Sequence, residues 1–232
     1  MIEKVTTNLS YEEWEALHSE ARFLPRYPQD DVVRWTLGEL SPKKQKTPKA
    51  LDLGCGGGRH AIFLASEGFK TSAVDRSRVG INETIKRASN LNLEIDCKVA
   101  EMNSLPYEND HFDILLCYGV LCYLSYDEVW QAISEIERVL KVGGEALIMT
   151  RGIGDFRKKY ARKIKKKTYL IEGDSSPNYP AAGENGMIHT FLSDKDISDL
   201  FSSFGTIKTE RSTLSLSDGQ YLNDDWLIYV TL

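Results

Sequence analysis

The segment Leu51-Asp52-Leu53-Gly54-Cys55-Gly56-Gly57-Gly58-Arg59-His60 constrains this chain more than any other stretch. An apolar strand pattern through Ala50, Leu51 and Leu53 runs into four glycines within five residues, and a helical pattern follows through Ala61, Ile62, Leu64 and Ala65. Glycine has no Cβ, so such a turn can take left-handed dihedrals and let a ligand lie against the main chain. The helix start beyond it adds unpaired N–H groups and a partial positive charge. Strand, glycine turn and helix in that order predict a ligand site at the edge of a parallel α/β sheet.

Spacing narrows the ligand. The dinucleotide fingerprint G-x-G-x-x-G needs a glycine where Arg59 stands. A phosphate-cradling P-loop is excluded, because no Gly-Lys-Ser/Thr follows. Asp75 closes the next strand pattern, Phe69 to Val74, one helix and one strand beyond Gly58. A carboxylate there can accept both hydroxyls of a ribose, which points to an adenosine-type cofactor.

With Asp52 ahead of the glycines, the pattern D-x-G-x-G-x-G closed by an acidic residue on the second strand resembles the class I S-adenosylmethionine-dependent methyltransferases. Val99 to Tyr107 is similar to the family's segment after the third strand, with Glu101 where Asp is usual. His111 to Leu121 resembles its fourth-strand motif, and Ile136 to Ile148 its following helix, turn and fifth strand. The resemblance covers roughly residues 48–150 and is specific as a set. It implies S-adenosylmethionine as cofactor and S-adenosylhomocysteine as product. It also implies a Rossmann-like, doubly wound seven-stranded sheet of order 3-2-1-4-5-7-6, with the last strand pair antiparallel. Gly54, Gly56 and Gly58 would admit the methionine and ribose parts, and Asp52 would orient the loop and the cofactor's amino group. Asp75 would hold the ribose, Met102 and Glu101 would meet adenine, and Cys55 and Arg76 would flank them. Tyr118, just past the fourth strand, would face the methyl donor and is a catalytic candidate.

From residue 50 onward, strands near 50–53, 69–74, 94–99, 112–117 and 144–150 alternate with helices near 58–67, 77–90 and 126–140, as in a parallel sheet covered on both faces. Ser125-Tyr126-Asp127-Glu128 is a capping box, and Val142-Gly143-Gly144 a turn. Ser193 caps a helix through Phe201. Ile207 to Leu216 and Trp226 to Leu232 have no crossover helix between them and should pair antiparallel. Residues 1–47 read as an N-terminal helical cap and linker to a methyltransferase domain over 48–232. In the cap, Ser10 starts a helix carrying Trp14, Leu17, His18 and Ala21, a second short helix runs through Val32, Trp35 and Leu40, and Ser41 to Pro48 is polar. Arg26-Tyr27-Pro28 either covers the cofactor and pairs its carboxylate or forms a solvated turn.

The chain has 232 residues, 41% apolar and 27% charged, which argues against disorder and against a membrane class. Four cysteines without metal-ligand spacing read as reduced thiols of a cytoplasmic protein. Net charge is −5, yet residues 151–170 hold nine Lys/Arg against Asp155 alone. This basic stretch opens a long insertion at about 151–192, where acceptor specificity is expected. Ile153, Phe156, Tyr160 and Ile164 recur at helical spacing, so an amphipathic helix with a basic outer face is expected there, with Gly152 and Gly154 as a hinge. The lysines suit a solvated face, an anionic small acceptor or RNA. His189 is the candidate base or acceptor contact, whereas His60 at the helix start reads as a capping or surface residue and His18 as a helix-face residue. Methyl transfer from a sulfonium needs little covalent help, so the absence of a triad or metal motif is consistent with it. The acceptor expected is N or O of a small molecule. Transfer to RNA or protein, and a cofactor-binding protein without turnover, are the alternatives.

Overall fold

The computed structural model describes residues 11–20, 24–40, 47–173, 181–216, 219 and 221–232. Ser10, Ala21 and residues 41–46, on which part of the cap reading rests, lie outside them. Helix α1 spans Tyr11–His18 and α2 spans Asp30–Arg34, the latter continuing as a π-helical turn over Trp35–Glu39. The central strands are β1 (Lys49–Leu53), β2 (Lys70–Asp75), β3 (Ile95–Val99), β4 (Phe112–Tyr118) and β5 (Leu140–Arg151). Helices α3 (Arg59–Ser66), α4 (Arg78–Asn90) and α5 (Tyr126–Val139) connect them. Strands β9 (Thr206–Leu216) and β10 (Tyr221–Thr231) complete a seven-stranded sheet of order β3-β2-β1-β4-β5-β10-β9. Neighbours are parallel through β5, and β10 pairs antiparallel with both β5 and β9.

The inner strands are buried on both faces, which is why they read as nearly continuous apolar runs. One face carries Leu51, Leu53, Leu115, Cys117 and Ile228 against Ile133 and Ile136 of α5 and Phe201 after α6 (Asp194–Leu200). The other packs Leu116, Leu147 and Leu227 against Leu64 of α3 and Val32 and Trp35 of the N-terminal segment. That part of the cap is therefore a layer of the fold. Ser125 and Glu128 form the expected capping box, as do Ser193 and Asp196. Strand β5 begins earlier than expected. Leu140 already pairs with Phe112, and Gly143, at φ +77, donates to the Leu232 carbonyl at 2.7 Å, so the glycine turn lies within the strand.

The insertion differs in kind from its expectation. Residues 156–160 make a short 3-10 turn, and β6 (Ala161–Lys165), β7 (Thr168–Ile171) and β8 (Ile188–Thr190) form a separate three-stranded antiparallel sheet in place of the amphipathic helix. Four apolar residues at helical spacing were too short a pattern to outweigh the strand preference of Thr168 to Ile171. Gly152 and Gly154 are not placed as a hinge either. A Cβ on either would come within 2.6 Å of Asp224 Oδ2, and Gly154 N donates to that oxygen at 2.8 Å.

Candidate functional site

Strand order reverses at β1, with β2 on one side and β4 on the other, and the glycine turn leaves β1 at this switch point. Gly54, Gly56 and Gly58 have φ of +76, +50 and +79. A Cβ on Gly54 would lie 2.4 Å from Val120, and one on Gly58 2.5 Å from Thr84. Backbone conformation therefore favours glycine at all three positions, and space requires it at Gly54 and Gly58. Gly54 N and Cys55 N donate to the Val74 carbonyl, which ties the turn to β2. At the end of β2, Asp75 Oδ2 accepts from Gly56 N and Oδ1 from Ser77 N, both at 2.8 Å. Burial raises the Asp75 carboxyl, opposed by the His18 ring and these two N–H groups. One lone pair on each oxygen remains for a ligand. Asp52 is 1% exposed and does not line the cleft itself. Burial pushes its carboxyl up to about 7, against the Ala61 backbone N–H and Arg59, and Oδ2 has no hydrogen-bond partner.

These elements open into a cleft that holds about 1120 Å³ of empty space, mouth included, enough for a cofactor-sized ligand. Past β3, Ala100, Glu101 and Met102 line one end, where Arg76 pairs with Glu101 at 3.2 Å. Trp14, Leu17 and His18 of α1 line the cleft from the cap side. Helix α1 is seated by Glu15, whose carboxylate accepts from the Arg78 and Val79 amides at the start of α4. Arg87 of α4 donates to the carbonyls of Leu24, Pro25 and Gly57, holding the cap segment against the glycine turn. Pro25 reaches the cleft, whereas Arg26 is exposed against the Tyr27 ring and does not line it.

The other end is lined by His60, Tyr118, Gly119, Tyr123, Leu124, Glu184 and Met187. Tyr118 donates its hydroxyl to Asp31 of α2 at 3.0 Å, and burial together with that carboxylate pushes its ionisation well above the usual range. His60 Nε2 accepts from Gln29 N at 3.4 Å. Burial, with Arg59 adding to it, drives the His60 ring down to about 3, so it is neutral. His189 does not reach the cleft. It is fully buried between Tyr123 and Phe191, 3.1 Å from Glu184 Oε2 in a bent contact, and burial lowers its basicity against the pull of Glu184. Glu184 and Met187 are the residues that this part of the insertion presents to the cleft.

Residues 50–144 match the family model described as a methyltransferase domain. An uncharacterized methyltransferase, YodH, of Bacillus subtilis is 33% identical over 94 residues, 40% of this chain and 39% of that protein. The ubiquinone biosynthesis O-methyltransferase of Rickettsia akari is 29% identical over 150 residues, 63% of this chain and 57% of that one. The chain thus matches well under two-thirds of the length of either relative. The fold is shared with the Burkholderia thailandensis 1,6-didemethyltoxoflavin N1-methyltransferase, solved with 1,6-didemethyltoxoflavin and S-adenosylhomocysteine (TM-score 0.66, 14% identity, covering 95% of this chain and 86% of that one). Over residues 50–144 the chain is similar to the S-adenosylmethionine-dependent methyltransferases.

The residues present fit that family's cofactor. The chain carries an unpartnered buried carboxylate oxygen on Asp52 and a turn whose Gly54 and Gly58 leave no room for a Cβ, as a cationic ligand lying against main chain requires. Sequence reasoning missed His18, Arg59 and Glu184 as cleft residues. His18 reads as one helix-face position among several until α1 is seen to lie over Gly56 and Gly80. For Arg59 the signal was present, since it interrupts the dinucleotide fingerprint at the start of α3. None of Lys158 to Lys167 lines the cleft. Arg151 and Arg157 are buried among acids, Lys167 pairs with Asp196 and Arg162 with Glu172, while Lys159, Lys163, Lys165 and Lys166 are exposed on and around β6, the edge strand of the small sheet. Among the described residues no helix is long and apolar enough to cross a membrane, and no cluster of His, Cys, Asp or Glu is set to hold a metal.

Proposed function

We propose that this chain transfers the methyl group of S-adenosylmethionine to N or O of a small molecule in the cytoplasm. One observation carries the reading. One cleft runs from the glycine turn and Asp75 to Tyr118, Tyr123 and Glu184, lined by α1 on one side and by Met187, just ahead of β8, on the other. A cofactor at the first end leaves a second end lined by Tyr118, Tyr123 and Glu184 that suits a small acceptor. The free thiols of Cys55, Cys97, Cys117 and Cys122 accord with a reducing compartment.

In this reading the spare lone pairs of Asp75 take the two ribose hydroxyls. Met102 lies against adenine, with Cys55 beside it, and Glu101 with Arg76 closes that edge. The carboxylate of Asp52 offsets the cofactor's positive charge from beneath the turn, and Gly54, Gly56 and Gly58 let the methionine part lie on main chain. Arg26 is left outside this set and Arg59 joins it. S-adenosylmethionine, when bound, supplies an electrophilic methyl with its own leaving group. The chain's task is then to align the acceptor in line and keep water out. Tyr118, fixed by Asp31, shapes the passage between the two ends. His60 spends its Nε2 lone pair on Gln29 N, so no neutral base is poised at the acceptor end among the described residues. An acceptor carrying its own nucleophilic lone pair suits such a site.

Calorimetric titration with S-adenosylmethionine, S-adenosylhomocysteine and NAD tests the reading. Both sulfur ligands should bind and NAD should not. Asp75→Ala should weaken the sulfur ligands tenfold to a hundredfold, the effect of about 1.5–3 kcal/mol expected for hydrogen bonds to a charged group. Binding of NAD alone, or full affinity in Asp75→Ala, would overturn it.

A further inference from the structure

We propose that Glu184 anchors the methyl acceptor, and that the acceptor is a small aromatic molecule that offers a cationic or N–H/O–H donor group and bears no anionic group. This rests on the methyltransferase reading above. Glu184 is the one acidic side chain at the acceptor end among the described lining residues, since Asp75 and Glu101 belong to the cofactor end. The insertion delivers it from a 3-10 turn over Ala182–Glu184. Behind it, Arg157 Nε donates to Oε2 at 2.8 Å, the His189 ring stands 3.1 Å from the same oxygen, and Arg151 Nη2 is 3.6 Å from Oε1. Burial disfavours its charge, but His189, Arg151 and Arg157 overcome that and hold the carboxyl well below the usual range. Glu184 therefore stays charged and is a poor proton acceptor, which makes it a binding group and not a base.

The two oxygens are unequally engaged. Oε2 carries the hydrogen bond from Arg157, while Oε1 has only the longer contact with Arg151. A fixed, largely buried carboxylate oxygen held only by a long ion pair has capacity for a closer hydrogen bond, and a donor on the acceptor supplies it. The walls fit a flat ring. Tyr118, Tyr123 and Trp14 line the cleft with Met187, and Trp14 stands edge-on to Tyr123 at 5.2 Å between ring centroids. Arg151 reaches the Tyr123 hydroxyl at 3.4 Å and so fixes that ring from the same ionic cluster. Faces of aromatic rings attract cations and repel anions, which acts in the same sense as Glu184. The lysines that would have favoured an anionic acceptor stand elsewhere. Arg151, Arg157 and His189 are positioning residues in this scheme, acting through Glu184.

Benzylamine, phenol and benzoate test the inference on the protein saturated with S-adenosylhomocysteine, by ligand-observed NMR titration. Benzylamine and phenol should bind, with benzoate at least tenfold weaker. Glu184→Gln should weaken benzylamine at least tenfold and narrow its lead over benzoate, with S-adenosylhomocysteine affinity within twofold of the parent. Benzoate equal to or tighter than the other two, no binding by benzylamine and phenol, or an unchanged ranking in Glu184→Gln would each overturn the inference. The ranking in the parent decides even where the variant fails to fold. Failure of S-adenosylhomocysteine to bind the parent would instead remove the methyltransferase reading on which the inference stands.

Discussion

At one end of the cleft the ligand-facing surface is made by the main chain. Gly54, Gly56 and Gly58 take left-handed dihedrals, and the side chain that matters most, Asp75, is itself held by two backbone amides. At the other end the surface is made by charged side chains that hold one another. Asp155, 1% exposed, binds Arg157, Arg157 binds Glu184, and Arg151 lies between Asp155, Glu184 and Tyr123. A backbone-built end depends on local dihedrals and tolerates change in the side chains around it. A charge-built end depends on every member of the cluster, because removing one leaves its partner buried and unpaired. The two ends of this cleft should therefore fail in different ways.

Arg157→Leu should show the largest effect. Losing its guanidinium leaves Asp155 with the longer ion pair to Arg151, and Glu184 with Arg151 and the His189 ring, and breaking such a buried pair costs about 3–5 kcal/mol of stability. Urea denaturation of the apo protein measures this directly. Under native conditions the variant should still bind S-adenosylhomocysteine with the parent's affinity per folded molecule, because no atom of Arg157 lies at the glycine turn. Loss of cofactor affinity in the folded fraction would show that the two ends are one unit and would break the comparison.

The same division explains what could be read from the chain. Strands β1 to β4 and helices α3 to α5 lie within a residue or two of their expected bounds, and the sheet order is the one implied by the family resemblance. Each rests on a pattern carried by adjacent residues: alternation of element types, the Ser125 capping box, the glycine spacing. Glu184 carries no such pattern. Its partners Arg157 and Arg151 stand 27 and 33 residues upstream in a stretch whose basic charge suggested a solvated face or an anionic ligand. His189, expected as a base or acceptor contact, is the buried prop behind Glu184. His18 was legible as helical but not as a cleft residue, because its neighbours Gly56 and Gly80 belong to other elements. Long-range side-chain contacts leave no periodicity to read.

Asp52 tests how far the main-chain description of the cofactor end holds. Its folded carboxyl titrates near 7 against an ordinary value of 3.8. Between those values the native chain keeps a proton that the unfolded chain has lost. Stability from this group is therefore fully present below about 4 and falls as pH rises towards 7. A cationic ligand above the turn favours the ionised form, so the sign reverses for binding. S-adenosylmethionine affinity should rise with pH, by up to tenfold per unit below 7, and level off above it. Asp52→Asn should lose this slope and bind about 1–2 kcal/mol more weakly at neutral pH. The difference between parent and variant isolates Asp52 from His60 and Asp75, which titrate in both. A parent profile as flat as the variant's would confine Asp52 to holding the turn.

The smallest effect should come from the most conspicuous charges. Replacing Lys159, Lys163, Lys165 and Lys166 together with Gln removes four exposed cations, and exposed charges contribute little to stability. Unfolding free energy should change by less than about 1 kcal/mol, and S-adenosylmethionine affinity should not change, because none of these side chains lines the cleft. Lysines on and around β6 instead suit an edge strand that must not pair with another chain. The expected consequence is a lower concentration threshold for self-association, read by light scattering at low and high salt. The comparison sharpens if the quadruple variant aggregates sooner while Arg157→Leu, one buried cation in the same segment, loses most of the stability. Weaker cofactor or acceptor binding by the quadruple variant would place the surface charge at the site after all.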